Sequence, residues 1–333
     1  GRDGGQARSS ALRVTAGRAP GHERMATGRG NDEAERAPPE ARPRRGVLFA
    51  LGSAVFAAGF LLTFRAAARE APRDLVVFAM LAFSAVFNGA FAGLRGELRP
   101  RRPTRITAAT VAVLALLTVG GNFGVAGALA RLDPGLTGTL LQTQVFAVGI
   151  GGRLFLGEPL TGRFVVGALF AVVGFAVLAL EDPSAAAADP VGVLFALLGS
   201  ASFGGMLLWT RGVIRRIAPV PVNVARLLIA VVVLGPVALA GGVPGDVPAV
   251  FWLHAGLAAA LGPLASRLCL MFAVRHITAS RAKLLTLLTP VLAFGLEVAV
   301  LGETPLAREL LGAALILAGV FLPMLATAER RGR

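Results

Sequence analysis

Residues 51–65 read LGSAVFAAGFLLTFR, and residues 198–211 read LGSASFGGMLLWTR. The two stretches share Leu-Gly-Ser-Ala-x-Phe and a closing Leu-Leu-x-x-Arg, displaced by 147 and then 146 positions. Further along, Leu156-Gly157-Glu158 is answered by Leu301-Gly302-Glu303. Each glutamate is followed at one common spacing by two glycines, Gly167 and Gly174 in the first copy and Gly312 and Gly319 in the second. Matches in one order at nearly one offset mark an internal duplication.

What is duplicated is apolar. The chain is 55% hydrophobic and 16% charged, with a mean hydropathy of +0.71, whereas a soluble domain is about half apolar and about a quarter charged. Apolar stretches run over 46–64, 75–94, 106–130, 135–156, 164–180, 191–209, 222–242, 249–273, 278–301 and 307–327. Most have the roughly 17–25 residues that a helix needs to cross about 30 Å of hydrocarbon, where a helix satisfies its own backbone groups. The expected fold is therefore all-α: a polytopic membrane protein of ten transmembrane helices in two five-helix repeats, 46–180 and 191–327. Five is odd, so the second copy enters the membrane from the other side. The repeats are then inverted, related by a pseudo-twofold axis in the membrane plane.

The net charge of +14 lies in the N-terminal tail and in short loops between apolar blocks rather than on the basic face that a nucleic-acid binder needs. With the N-terminus inside, eighteen cationic residues fall on the inner side, among them Arg211, Arg215, Arg216, Arg275, Arg281 and Lys283. Five, Arg65, Arg69, Arg73, Arg131 and Arg308, fall outside. By the positive-inside rule both termini are cytoplasmic. Residues 1–45 are polar and rich in Arg, Gly and Pro, so they are expected to be a disordered tail, with the true start near Met25. Residues 328–333 form a short cytoplasmic tail. Arginine is abundant and Lys283 is the only lysine, which points to a high-GC genome and a bacterial inner membrane.

The chemistry of catalysis is missing from this pattern. No His-acid cluster, Glu-x-x-His or Cys-x-x-Cys occurs, so neither an enzyme nor a cofactor nor a metal site is expected. His254 and His276 read as isolated. Cys269, the single cysteine, lies inside an apolar block and has no partner for an intramolecular disulfide. The expected partners are the lipid bilayer and a small-molecule substrate, with no nucleic acid; a homodimer is compatible with the reading.

Paired five-helix halves, the Leu-Gly-Glu at each junction of fourth and fifth helix, and the closing GAALILAGVFL at 312–322 resemble the EamA-type branch of the drug/metabolite transporter superfamily. The resemblance covers about 46–327. It implies a secondary transporter working by alternating access. In that family a proline commonly follows the middle of the fourth helix of each repeat; Thr289-Pro290 fits in the second half, whereas the first half has Thr143-Gln144. The run Leu141-Gln142-Thr143-Gln144-Val145-Phe146 is similar to exporters of cysteine-pathway metabolites and related amino acids. Export of lipophilic cations is the alternative substrate class, and a pore or structural membrane protein the alternative function.

Polar groups are costly in hydrocarbon, so those at depth are the candidate site. Gln142 and Gln144 in helix 4, and Thr286, Thr289 and Pro290 in helix 9, lie near the expected midplane on the symmetry axis. The amides and hydroxyls suit a small polar solute, or serve as interhelical hydrogen bonds. Pro290 frees a backbone carbonyl and kinks its helix. Asn122 and Arg267 occupy matching places in the third helix of each repeat. Arg267 is placed to grip a carboxylate in two bonds, or to snorkel to the interface. Glu297, the only acid well inside an expected span, is the proton-coupling candidate, with the outer surface as its other destination. Asn88, Asn223 and Arg226 read as packing or interface groups, and Glu158 and Glu303 as complements to the dipole of the next helix.

Overall fold

Three of the helices begin where a side-chain oxygen accepts one of their first N–H groups. Thr104 Oγ1 accepts the Thr107 amide at 3.2 Å, Asp189 Oδ1 accepts that of Val191 at 2.9 Å, and Thr278 Oγ1 accepts that of Arg281 at 3.3 Å. Pro190 follows its cap directly, where a missing N–H costs nothing. The computed structural model describes residues 43–97, 104–132, 134–179, 189–240, 246–301 and 306–329, and among them there is no strand.

The helices are α1 (Pro43–Glu70), α2 (Arg73–Leu94), α3 (Arg105–Leu129), α4 (Pro134–Gln142), α5 (Gln144–Leu156), α6 (Gly162–Ala179), α7 (Pro190–Val213), α8 (Pro219–Ala240), α9 (Ala249–Ala259), a π-helical stretch (Ala260–Ser266), α10 (Arg267–His276), α11 (Ala279–Thr286), α12 (Thr289–Leu301) and α13 (Ala307–Glu329). Seven rods are long and apolar enough to cross a membrane by length and composition: α1, α2, α3, α7, α8, the continuous Ala249–His276, and Ala279–Leu296. Helix α6 is a shorter apolar helix. The expected tail lies outside the described residues except for Pro43, Arg44 and Arg45, which are already helical and open α1.

Three of the expected spans are interrupted, one of them near the proline expected to kink it. The stretch 135–156 breaks at Thr143, between α4 and α5. Here the Thr143 amide turns back to Leu140 O at 3.1 Å, and its hydroxyl donates to the same carbonyl at 2.6 Å. The stretch 278–301 breaks at Leu287-Leu288, whose amides bond three residues back to Leu284 and Leu285. Pro290 follows in the first turn of α12, lacking the N–H that would continue the ladder. In the stretch 249–273 the π-helical turn surrounds Pro263.

Contacts between the halves are reciprocal. Helix α3 packs along α7 while α1 packs along α9 and α10, α2 packs on α8, and α6 packs on α13. Small residues let these backbones meet. A Cβ on Gly124 of α3 would lie 2.5 Å from Gly199 N and 2.7 Å from Phe195 O of α7. The four glycines that flagged the duplication form the α6–α13 seam, where Gly174 faces Gly312 and Gly167 faces Gly319. Outward, apolar side chains such as Leu116 on α3, Leu154 on α5 and Val232 on α8 are mostly exposed, Val232 at 73%. A surface of this kind is stable only against an apolar medium.

Candidate functional site

The two broken helices end at one place. Gln142 closes α4 and Gln144 opens α5; Thr286 closes α11 and Thr289 opens α12. All four line a cavity of about 420 Å³, together with Asn122 and Arg267. The structure therefore gathers every residue singled out as substrate-contacting from the sequence around a single cavity, although they come from α3, α4, α5, α10, α11 and α12. Ser53 of α1, Met80 of α2, Thr118 of α3, Met206 of α7, Arg226 of α8, Ser266 of the π-helical stretch and Lys283 of α11 complete the polar and sulfur-bearing wall; Phe60 and Phe203 are among the apolar lining.

Arg226 does more than its place in the sequence suggests. Of its two expected roles, packing or interface, it takes the first, being 4% exposed and held from two sides, and it lines the cavity as well. Its Nε donates to Asn223 Oδ1 at 2.8 Å, and Nη1 donates to Thr118 Oγ1 at 2.7 Å. Asn223 Nδ2 donates in turn to Asn88 Oδ1 at 2.7 Å and to Pro263 O at 3.1 Å. Asn88 Nδ2 donates to Ser84 O at 2.8 Å. This buried chain ties α2, α3 and α8 to the π-helical turn. A carbonyl is available at Pro263 because a π-helix shifts the hydrogen-bond register. Polar networks of this kind fix geometry when every member is satisfied.

Lys283 is a correction. Its place among the inner-loop cations does not hold: it is 8% exposed, lines the cavity, and its Nζ stands 3.5 Å from Gln142 Oε1. Arg267 has not snorkelled out of the bundle. Its Nη2 stands 3.5 Å from Thr210 Oγ1, and its Nε is buried without a hydrogen-bond partner. Asn122 donates to Thr118 O of its own helix at 2.8 Å. Thr286 donates to Lys283 O at 2.7 Å. Pro290 stands one residue beyond the lining Thr289. The side chain of Glu297 lies outside the described residues, as does Glu303.

Glu158 also departs from its expected role. Gly157 takes the left-handed conformation, φ 64°, after α5, and this reversal sends the carboxylate to α11 of the other half rather than to the following helix α6. Its Oε1 accepts the Ala279 amide at 2.9 Å, and Oε2 accepts the Ser280 amide at 3.3 Å and hydroxyl at 3.0 Å. Arg211 Nε lies 3.4 Å from Oε1. His254, read as isolated, places Nδ1 3.0 Å from Glu70 Oε1, joining α9 to the end of α1.

With this geometry in view, the comparisons fall into place. The family model described as the EamA-like transporter family matches the chain twice, over residues 44–180 and 190–325. The chain belongs to the EamA-like transporter family. Each matched half carries a helix broken next to the cavity, at Thr143 in the first and at Leu287-Leu288 in the second. A solved crystal structure, described only as that of a protein, is similar in fold: TM-score 0.73 at 18% identity, covering 85% of this chain and 98% of that one. No curated protein matches this EamA-like chain.

Reasoning from the sequence missed several residues of the transporter's cavity, Thr118, Arg226, Ser266, Lys283 and Ser53 among them. Lys283 carried a signal, being the only lysine among 33 basic residues. Ser53 carried another, since it belongs to the repeated Leu-Gly-Ser-Ala; its hydroxyl lies 3.1 Å from Ser266 Oγ in the π-helical turn, and its counterpart Ser200 lies 3.1 Å from Thr143 Oγ1 at the first break.

Proposed function

We propose that this membrane transporter is a secondary carrier of the drug/metabolite type with ten spans in two inverted repeats, and that the cavity is its substrate site. The observation that carries the reading is the meeting of both helix breaks, one from each matched half, at the same cavity. Broken helices leave backbone dipoles free for a ligand, and rocking of one repeat against the other about such a site gives alternating access. Support for the inverted arrangement comes from the reciprocal pairing of α3 with α7 and of α1 with α9 and α10. Gln142, Gln144, Asn122, Arg267, Thr286 and Thr289 contact the solute.

The substrate class we assign is amino acids or related small metabolites, moved outward across a bacterial inner membrane with both termini inside. Cations lining the cavity speak against lipophilic cations, which call for aromatic and acidic walls. Counterflow of radiolabelled cysteine, O-acetylserine, threonine and a lipophilic cation in proteoliposomes tests this. Uptake that needs substrate on the trans side and is lost in Gln144→Ala is expected; uptake without trans-stimulation indicates a pore. Glu297 is the proton-coupling residue in this reading, and a pH dependence of transport unchanged in Glu297→Gln removes it from that role.

A further inference from the structure

We infer that the cavity selects small dianionic solutes, molecules bearing two acidic groups on a short carbon skeleton. This rests on the reading of the cavity as the substrate site and narrows the substrate class given there to acidic metabolites, setting the neutral amino acids aside. Three cationic side chains, Arg226, Arg267 and Lys283, line it. Among the described residues, none of the three forms an ion pair, and no carboxylate belongs to the lining. Glu158, the buried acid of the described residues, is committed to Arg211, Ala279 and Ser280. Charge buried in a protein is ordinarily paired, because removing it from water is costly and the cost is recovered only by an opposite charge in good geometry.

The three cations differ in how far they are satisfied. Arg226 is positioned by Asn223 and Thr118. Arg267 and Lys283 have only contacts at 3.5 Å, to Thr210 and Gln142, and Arg267 Nε has none. The guanidiniums are anchored close together: Thr210 Oγ1 donates to Met206 O at 2.7 Å, while Thr118 Oγ1 lies 3.6 Å from Met206 Sδ. Gln144 and Thr289, the first residues of α5 and α12, reach the same cavity. Helix N-termini carry partial positive charge, so these backbone ends add to the cationic field.

The balance of charge separates the solute classes. A zwitterion offers one carboxylate but brings an ammonium toward three cations. A monoanion leaves two positive charges uncompensated. A dianion leaves one, and can span the two loosely held donors and the fixed Arg226 together. The volume of about 420 Å³ suits a small metabolite. Phe203, Met206 and Leu207 offer an apolar wall to a short carbon chain, and Gln142 and Thr286 offer hydrogen bonds to its uncharged remainder.

The test uses the full chain in two measurements. In the first, thermal unfolding of the purified protein is followed with succinate, inorganic phosphate, threonine or tetraphenylphosphonium at matched ionic strength. In the second, counterflow of the same solutes is measured in phosphatidylcholine vesicles, which contain no anionic headgroup. Succinate is expected to raise Tm more than phosphate, which has no carbon skeleton, and to show trans-stimulated uptake, with apparent affinity falling at least tenfold in Lys283→Gln and in Arg267→Gln. Stabilisation by threonine or tetraphenylphosphonium with the dianions inert overturns the inference, as does a dianion effect unchanged in both variants. Displacement of succinate by added phosphatidylglycerol assigns the cavity to a lipid headgroup and overturns it too. Dianion binding that is lost in the variants, with no solute trans-stimulated, leaves the anion site standing and removes the carrier. Trans-stimulated threonine uptake indifferent to dianions does the reverse.

Discussion

Gly174 of α6 and Gly312 of α13 face each other so closely that a Cβ on the first would lie 2.7 Å from the carbonyl oxygen of the second, and a Cβ on the second 2.8 Å from that of the first. Hydrocarbon offers no hydrophobic drive for two helices to associate, so close backbone packing has to supply it. Gly312→Leu is therefore expected to force the helices apart and destabilise the fold by about 1–3 kcal/mol. Gly295→Ala at an exposed position of α12, where a Cβ meets nothing within 4 Å, is the control. Its thermal unfolding in detergent should match the parent within about 0.5 kcal/mol.

Glu158 reaches from the first half to the N-terminus of α11 in the second. Glu158→Ala leaves the amides of Ala279 and Ser280 and the Arg211 guanidinium without their shared acceptor, each buried group costing about 1–3 kcal/mol. A fall in Tm larger than that of Glu158→Gln is expected, since the amide keeps one acceptor oxygen. Equal Tm values for both variants and the parent would show that the carboxylate contributes nothing to the contact between the halves.

The Asn88–Asn223–Arg226 chain predicts a non-additive pair. Asn223→Leu strands Arg226 Nε and Asn88 Oδ1, at about 1–3 kcal/mol for each unsatisfied group. Adding Asn88→Leu removes one of the stranded atoms, so the double variant should be less destabilised than the sum of the singles. Additive losses of Tm would break the network reading.

Outside the membrane-spanning segments, Asp189 caps α7 and lies 3.0 Å from Arg131. The Val191 amide, with Arg131 beside it, holds its carboxyl below the ordinary value of 3.8. A group whose folded value is depressed adds stability above its unfolded value and loses it as the pH falls through the folded one. The contribution is thus complete at neutral pH and disappears only below about 3.8. Asp189→Asn should flatten that acid limb of the stability curve while changing Tm little at pH 7, because both partners are exposed.

Much of this architecture was legible in the residues, because the membrane imposes a length and a duplication imposes an offset. The glycines after each Leu-Gly-Glu were visible as spacing, and their pairing across α6 and α13 is what that spacing encodes. Polar residues at depth, Gln142, Gln144, Thr286 and Thr289, were legible as a group since hydrocarbon tolerates few of them. The helix break at Thr143 was not, for no proline marks it and the hydroxyl that closes the turn is one that occurs throughout ordinary helices. Lys283 was misplaced, and the packed Arg226 was not recognised as cavity wall, for a related reason. A cation near an expected span end reads as interfacial, and only the three-dimensional path of α8 and α11 turns it inward. Glu158 was misassigned because its partner is 121 residues away, beyond the reach of local pattern.

The solitary lysine has a practical consequence. With Lys283 in the cavity wall, the chain carries only one side-chain primary amine, so an amine-selective reagent applied from one face of a sealed vesicle can modify a side-chain amine only by entering the cavity. The rate of that single modification, compared between the two faces, reports from which face the cavity is reached, without any residue having to be introduced.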